Sequence, residues 1–309
     1  MGILDIFEIA NNYLKNQNKT EQSFFNVQLA TVTGDPVQSF TAMPITPLSS
    51  IEEINHADMI IVPPVMNDIE NALTENEALF PWMKSLHNRS TILVSICTGV
   101  FFLAETGLLN KKTVTTNPLL ASYFLSRYPN VKTNLSQLFI DQGDIITAGP
   151  TYAFLDLIIY LVEKYCGLEA ALFCSKLLLH DKNRSSQAPY FNCSHNQLHQ
   201  DEEIQNIQLW LEEHCVEAVS IESIAERFHM SPRNLVRRFQ NAVGDSPLSY
   251  IQTLRVELAK QKLETTQLRI EKITQDVGYE DSKSFGRLFK RHTSLSLTEY
   301  RKRFSARLN

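Results

Sequence analysis

The sequence predicts an α/β domain followed by a smaller all-α domain. Its 309 residues exceed the usual size of one domain and suit two. Short segments rich in Val, Ile and Thr alternate with helical segments through the first part of the chain, a pattern typical of an α/β sandwich with a mostly parallel sheet. From Asp201 onward the pattern is helical only.

Net charge separates the chain into two parts of opposite sign. The whole chain carries a formal charge of −5. Residues 1–218 hold 12 Lys and Arg against 24 Asp and Glu, a net of −12, whereas residues 219–309 hold 17 against 10, a net of +7. A basic module on an acidic body is expected when one of the two meets phosphate and the other does not.

Composition excludes several broad classes of protein. An apolar fraction of 43%, with 9% aromatic residues, is enough to bury cores and excludes global disorder. No stretch approaches the ~18–20 apolar residues of a membrane span, and the N-terminus has no basic leader, so we expect neither a membrane segment nor a secretory signal. Five cysteines at scattered spacings suit a cytoplasmic protein better than a disulfide framework.

The α/β part contains five predicted strands and four predicted helices. The strands are expected at residues 27–33, 59–62, 91–96, 113–116 and 145–148. The helices are expected at residues 69–73, 101–106, 118–127 and 152–166, the last with Thr151 as its N-cap. Residues 141–144 have the composition of a hairpin turn between residues 138–140 and 145–147.

A polar, weakly periodic stretch that contains Pro189 separates the two parts. We therefore predict a first domain over residues 1–185, a linker over residues 186–203 and a second domain over residues 204–309. Three residues near the linker have metal-like spacing: Cys193, His195 and His199. No fourth ligand is evident, so we favour a solvated linker and predict no metal site.

The all-α part contains an internal repeat. Residues from Ile224 onward align with those from Ile273 at an offset of 49, which becomes 50 after one extra residue in the turn. Each copy has the pattern of a short helix, a turn and a second helix with one basic side. Ser231 and Pro232 predict a firm start for the second helix of the first copy, and Gly278 occupies the turn of the second copy, where a left-handed backbone suits glycine. The apolar residues expected to pack the helix pairs are Ile224, Leu235 and Phe239 in one copy and Ile273, Phe285 and Phe289 in the other.

Two helix-turn-helix units about fifty residues apart, joined by one long helix over residues 247–263, resemble the AraC/XylS family of transcription regulators. The resemblance spans residues 205–305. It is carried by residues 220–239, by Leu254, Arg255, Ala259 and Leu263, by residues 277–291, and by Tyr300 and Arg301. Departures are mild: Thr274, Ser294 and Leu297 stand where the family usually has Ala, Gly and Pro.

This resemblance implies which side chains meet DNA. The residues expected to face base edges are Arg233, Val236 and Arg237 in the first unit and Ser282, Lys283 and Arg287 in the second. The residues expected to contact phosphate are Arg238, Lys290 and Arg291. The alternative is that these are solvated helix faces, which a lone basic helix would favour; the duplication and the aromatic core argue for DNA instead.

In the α/β part, a buried strand runs into a helix at Cys97, within residues 91–109. This pattern predicts a nucleophile elbow, with the sulfur at a sharp strand-to-helix turn. The stretch resembles the flavodoxin-like, PfpI-like fold of the class I glutamine amidotransferases, and especially the GlxA-like regulators, which join such a domain to an AraC-type tail. Residues 144–149, the helix with Asp156, and Asp181 with residues 184–190 extend the resemblance.

The histidine that would activate Cys97 is missing. Enzymes of that superfamily often have it at the next residue, where this sequence has Thr98, and GlxA-like regulators commonly have one after the following strand, where it has Asn117. A thiol without a base loses its activation. We therefore predict no enzyme, and a pocket at Cys97, Thr98 and Asn117 that serves ligand sensing, or a domain used only for dimerisation.

Taken over nearly the whole chain, the resemblance implies a sequence-specific DNA-binding regulator controlled by a small molecule, without a cofactor. The implied partners are double-stranded promoter DNA, a small-molecule effector, a second copy in a homodimer, and RNA polymerase. The alternatives are a cysteine-dependent amidase or hydrolase with an accessory DNA-binding module, and a constitutive architectural DNA binder with no ligand. Because the family normally begins with an apolar strand ahead of the helix that contains Asp5, we expect the first strand of the sheet to be absent from this sequence.

Overall fold

The computed structural model describes residues 2–18, 22–39, 41–66, 68–150, 152–181, 184, 186–191, 199 and 201–305. The chain divides into two compact units, Met1–Gln187 and Ala188–Asn309. Sequence reasoning placed Gln187 in the linker, whereas its side chain is buried in the first unit. Cys193, His195 and Thr151 lie outside the described residues.

The first unit combines ten described strands with seven described helices. The strands are β1 (Ala30–Thr31), β2 (Val37–Gln38), β3 (Pro44–Ile45), β4 (Ser49–Ser50), β5 (Met59–Val62), β6 (Ile92–Ile96), β7 (Thr113–Val114), β8 (Lys132–Thr133), β9 (Phe139–Asp141) and β10 (Ile145–Ala148). The helices are α1 (Gly2–Asn18), α2 (Ile69–Glu75), α3 (Leu79–His87), α4 (Gly99–Glu105), α5 (Ala121–Arg127), α6 (Ala153–Cys166) and α7 (Leu168–Leu177), with 3-10 turns at Ile51–Glu53 and Pro118–Leu120.

A four-stranded sheet in the order β5-β6-β10-β9 forms the centre of this unit. β5, β6 and β10 run parallel, and β9 pairs antiparallel with β10 through the predicted hairpin turn. Neighbouring residues of β6 face opposite cores: Leu93 packs with α2 to α5, and Val94 packs with α1, α6 and α7. Helices therefore cover both faces of a mostly parallel sheet, which confirms the predicted flavodoxin-like class.

Several predicted elements have different bounds in the structure. The strand expected at residues 27–33 is reduced to β1, which pairs for only two residues at an exposed surface. The strand expected at residues 113–116 ends at Val114, because the Thr115 amide donates to the Thr147 hydroxyl instead of continuing a backbone ladder. Helices α3 and α7 were not predicted, and neither begins with a side-chain cap that the sequence could have revealed.

The second unit is all helical in its described part. It contains a 3-10 turn at Ala188–Tyr190 and the helices α8 (Glu202–His214), α9 (Ile221–Arg227), α10 (Pro232–Val243), α11 (Pro247–Thr265), α12 (Ile270–Asp276), α13 (Ser282–Thr293) and α14 (Leu297–Phe304). The first half of α11 contributes Tyr250 and Ile251 to a core with α8, α9 and α10. Its second half contributes Val256 and Leu263 to a separate core with α12, α13 and α14. One long helix thus belongs to both repeats.

Candidate nucleic-acid interface and the cysteine elbow

The second helix of each repeat begins and ends in the same way. At the start of α10 the Ser231 hydroxyl accepts a hydrogen bond from the Asn234 amide, and at the start of α13 the Asp281 carboxylate accepts from the Lys283 and Ser284 amides. Both helices end at a residue in the left-handed region, Gly244 with φ +84° and Ser294 with φ +62°. The start predicted at Ser231 and Pro232 agrees with the structure, and both helices begin and end at positions related by the repeat offset of 50.

The basic side chains of both helices point away from the cores. Leu235 and Phe239 are fully buried in the first repeat, as are Phe285 and Phe289 in the second. The exposed residues among those predicted to read bases are Arg233, Val236 and Arg237 on α10 and Lys283 and Arg287 on α13, while Ser282 is half-buried. The Arg237 guanidinium donates to the Asn234 side chain at 3.0 Å and stays exposed. The packing expected from the apolar pattern is confirmed.

The turns of the two repeats share a left-handed residue. His229 in the first repeat has φ +53°, and its counterpart Gly278 has φ +82°. A Cβ atom on Gly278 would lie 2.3 Å from the Val216 carbonyl oxygen. Glycine is required there for two reasons, the backbone conformation and the close approach of another segment of the chain.

Arg255 on α11 fixes the two repeats against each other. Its Nε donates to the Cys215 carbonyl oxygen at 2.6 Å and its Nη2 to the Glu217 carbonyl oxygen at 2.7 Å. Its Nη1 donates to the Gly278 carbonyl oxygen at 3.2 Å, and its guanidinium lies 5.1 Å from the Tyr279 ring centroid. One side chain thus binds the segment before α9 and the turn before α13. Sequence reasoning noted Arg255 only as part of a resemblance, because the carbonyl oxygens that it meets leave no mark in the sequence.

A buried tyrosine anchors each repeat. The Tyr250 hydroxyl donates to Glu212 at 3.1 Å, and the Tyr300 hydroxyl donates to Glu264 at 2.6 Å. Burial is the main cause that raises the pKa of both phenols above the ordinary value, and the neighbouring carboxylates raise it further. Both tyrosines therefore stay neutral at physiological pH and keep donating these hydrogen bonds.

The three predicted phosphate-binding residues differ in their surroundings. Lys290 and Arg291 are exposed on the last turn of α13. Arg238 is half-buried, and its guanidinium is paired with Asp201 at 2.6 Å and with Glu203. Burial tends to raise the pKa of Asp201, but the hydrogen bonds from Arg238 and the Ile204 amide, together with the nearby positive charge, hold that pKa below its ordinary value. Phosphate contact by Arg238 would therefore require breaking an existing ion-pair network.

A cavity of about 570 Å³ lies beside α13. Lys283, Arg287 and Lys290 line one side of it, and Ser296 and Leu297 at the start of α14 line the other. No side chain fills the space at Gly286, where a Cβ atom would have no neighbour within 4 Å. Three cations thus border this open concavity, together with the Asp281 carboxylate that caps α13.

Cys97 lies at the corner between β6 and α4, as the sequence predicts. Its φ of +55° is in the left-handed region, and Gly99 lies so close to β5 that a Cβ atom there would be 2.5 Å from the Val62 carbonyl oxygen. The Cys97 side chain is 3% exposed. The elbow geometry is therefore present, but the thiol is closed off from solvent.

The neighbours predicted to form a pocket with Cys97 have structural contacts. The Thr98 hydroxyl accepts from the Val65 amide and donates to the Val65 carbonyl oxygen, both at 2.7 Å. The Asn117 side chain caps the 3-10 turn by accepting from the Leu119 amide. Each of the three histidines of the first unit lies against an aspartate: His56 with Asp58, His87 with Asp144 and His180 with Asp156.

The described residues contain no group of His, Cys, Asp and Glu side chains placed to hold a metal ion. None of their helices is long and apolar enough to cross a membrane. His199 lies near Gln208, with its Nε2 2.8 Å from the Gln208 side-chain oxygen.

Comparison with known proteins matches both units. The profile of the helix-turn-helix domain family matches residues 224–303, and that of the DJ-1/PfpI family matches residues 13–164. The HTH-type transcriptional regulator CdhR of Pseudomonas aeruginosa is 24% identical over 295 residues, which cover 93% of this chain and 85% of that protein. The HTH-type transcriptional activator RhaS of Escherichia fergusonii is 36% identical over 101 residues, covering 33% of this chain and 36% of its own.

A solved structure supports the fold of the first unit. The crystal structure of a protein from Vibrio parahaemolyticus superimposes with a TM-score of 0.52 and 21% sequence identity. The match covers 57% of this chain and 90% of that chain. At this level of identity the likeness concerns the fold alone.

Proposed function

The chain joins a DJ-1/PfpI domain to an AraC-type helix-turn-helix domain, and on this premise we propose that it is a transcriptional regulator that binds a specific DNA sequence through α10 and α13. The observation that carries the proposal is the pair of capped helices whose aromatic sides are buried and whose basic sides are exposed. The net charge of +7 over residues 219–309 supplies the attraction to phosphate.

In this proposal α10 and α13 enter two successive major-groove segments on one face of the duplex. Arg237 and Arg287, at equivalent positions, each offer the planar fork that matches guanine O6 and N7. Arg233, Val236, Ser282 and Lys283 complete the base-facing surfaces, and Lys290 and Arg291 contact phosphate. The Arg255 contacts support a rigid spacing of the two helices, and hence of the two DNA elements.

The first unit serves control in this proposal. A small molecule bound there shifts the population between two arrangements of a homodimer, and the arrangement sets the spacing of the DNA-binding units on their half-sites. RNA polymerase is the partner that responds to this arrangement at a promoter. In this proposal the first unit does not act as an enzyme, which is supported by the burial of Cys97 and by Thr98 and Asn117 at the positions where the resemblance would place a histidine base.

The test of DNA binding begins with selection of bound fragments from genomic DNA, followed by affinity measurement on the selected site. Arg237→Ala and Arg287→Ala should each weaken specific binding by about 1–3 kcal/mol and relax the preference for one base pair. Lys176→Ala, which removes one exposed charge from α7 of the first unit, is the matched control and should leave the affinity unchanged. Equal affinity in all three variants would refute the proposed docking.

The elbow geometry of Cys97 supports one second candidate, a cysteine-dependent amidase or hydrolase. Cys97→Ala separates the two functions. Under the regulator proposal this variant binds its DNA site and regulates the promoter as the original protein does, and no turnover of amide or ester substrates disappears. Loss of a measurable turnover in Cys97→Ala would establish the enzyme instead.

A further inference from the structure

A buried polar cluster lies in the first unit, on residues that the proposed function does not use. Asp156 on α6 meets His180 and Arg184, which follow α7. The Asp156 carboxylate accepts from Arg184 Nη2 at 2.7 Å and lies 3.0 Å from His180 Nε2. The side chains of His180 and Asp156 are only 4% and 7% exposed, and that of Arg184 is 25% exposed. Burial raises the pKa of the Asp156 carboxyl, although Arg184 and His180 oppose this effect.

The polar atoms of this cluster cannot all form hydrogen bonds with one another. Arg184 Nη2 is also 3.1 Å from His180 Nε2, and a guanidinium can only donate. His180 Nε2 cannot accept from Arg184 and donate to Asp156 at the same time. The other ring nitrogen, His180 Nδ1, is buried without a hydrogen-bond partner among the described residues. Buried polar atoms without a partner are rare in native proteins, so each one calls for a physical explanation.

A cavity of about 310 Å³ opens onto this cluster. Its polar wall is formed by Asp156, His180 and Arg184, and its apolar wall by Leu138, Phe139 and Ile159; Gln137, Tyr160 and Glu163 complete it. This volume is at the lower end of the range for small-molecule sites. Cys97, Thr98 and Asn117 do not line it, so it is a different place from the elbow.

We propose that this cavity binds a small monocarboxylate, with the carboxylate on the Arg184 guanidinium and the apolar body against Leu138, Phe139 and Ile159. The described contacts of Arg184 use Nη2 alone, which leaves the Nε–H and Nη1–H groups as donors to a carboxylate. The Tyr160 hydroxyl already donates to Asp141, so it adds no donor to the cavity. Asp156 and Glu163 both line the cavity, so they disfavour a dianion such as phosphate more strongly than a monoanion.

The position of Arg184 in the chain gives this site a route to the second unit. Arg184 precedes Gln187, the last residue of the first unit, by three positions. Gln187 is fixed there by hydrogen bonds from its Nε2 to the Leu135 carbonyl oxygen at 2.7 Å and to the Thr115 hydroxyl at 3.1 Å. A ligand that engages Arg184 therefore acts on the segment that leads into the DNA-binding unit. This regulatory step rests on the proposed function, whereas carboxylate binding does not.

The test measures binding of propanoate, pentanoate and benzoate to the full chain by ligand-observed NMR and calorimetry, with the matched amides as neutral controls. Saturable binding of at least one carboxylate is expected, weakened about tenfold or more in its amide and in Arg184→Gln. Arg127→Gln is the matched control, because Arg127 also pairs with carboxylates but lies outside the cavity; it should bind like the original protein.

Arg184→Lys keeps the charge but replaces the planar guanidinium donors, so it should retain part of the affinity, which provides a second measurement if Arg184→Gln fails to fold. The site is refuted if no carboxylate binds at millimolar concentration, if the amides bind equally, if Arg184→Gln binds unchanged, or if Cys97→Ala abolishes binding. DNA affinity of the same variants is measured separately without ligand and should not change. A chain that binds a carboxylate at Arg184 but no specific DNA would refute the proposed function and leave the cavity site standing.

Discussion

The two helix-turn-helix repeats share their buried design and differ in what their exposed ends contact. Each has a capped second helix, an apolar pair packed inside it and a buried tyrosine bound to a glutamate. The equivalent residues Arg237 and Arg287 both have an exposed guanidinium. The part of each repeat that would read bases is therefore nearly symmetric.

The difference lies in the second half of each recognition helix. In α13 the positions Lys290 and Arg291 are exposed cations, whereas their counterparts in α10 are the neutral Gln240 and Asn241. The extra cation of α10, Arg238, is instead paired with Asp201, which also caps α8. A basic residue on a recognition helix thus has two possible uses, DNA contact or support of its own domain, and only its neighbours show which.

The largest expected effect concerns Gly278, in the turn of the second repeat. Gly278→Ala should lower the free energy of unfolding by at least ~2 kcal/mol, because the new Cβ atom meets the Val216 backbone and the residue has a positive φ. Gly244→Ala is the control: its φ is similar but nothing lies within 4 Å, so its cost should stay near ~1 kcal/mol. Chemical denaturation measures both, and equal losses would mean that the approach to Val216 does not constrain the turn.

A smaller difference is expected in the salt dependence of DNA binding. Lys290→Ala should reduce the slope of log affinity against log salt by about 1, because one phosphate contact is lost. Arg238→Ala should leave that slope unchanged and lower the melting temperature instead, because it breaks the pairing with Asp201 and Glu203. If Arg238→Ala reduced the slope as much as Lys290→Ala, Arg238 would contact phosphate as the sequence resemblance implies.

The smallest expected effect concerns the ends of the recognition helices. Ser294 has a left-handed backbone where the first repeat has Gly244. Ser294→Gly should raise the free energy of unfolding by about 0.5–1 kcal/mol, and the reciprocal Gly244→Ser should lower it by a similar amount, since a side chain disfavours this conformation. Thermal and chemical denaturation of both variants check the pair, and destabilisation by Ser294→Gly would contradict it.

Sequence reasoning was most successful where the signals are local. The central strands 59–62 and 145–148 agree with the structure residue by residue, because apolar runs between turn residues indicate buried strands. It failed at β1 and at α7, since a two-residue surface strand and a helix without a side-chain cap leave weak patterns. Sequence reasoning also did not predict the cluster at Asp156, although the sequence resemblance included Asp156 and Arg184.

By itself the sequence determined the α/β class, the repeat with its helix starts, the elbow at Cys97 and the basic face of the second unit. Each of these depends on the order of residues along a few turns of chain. The tertiary structure alone decided that Arg238 pairs with Asp201, that Arg255 joins the repeats, and that Arg184 borders a cavity with Asp156. These contacts join residues 37, 40 and 28 positions apart, and a charge in a sequence does not reveal which distant group folding will bring beside it.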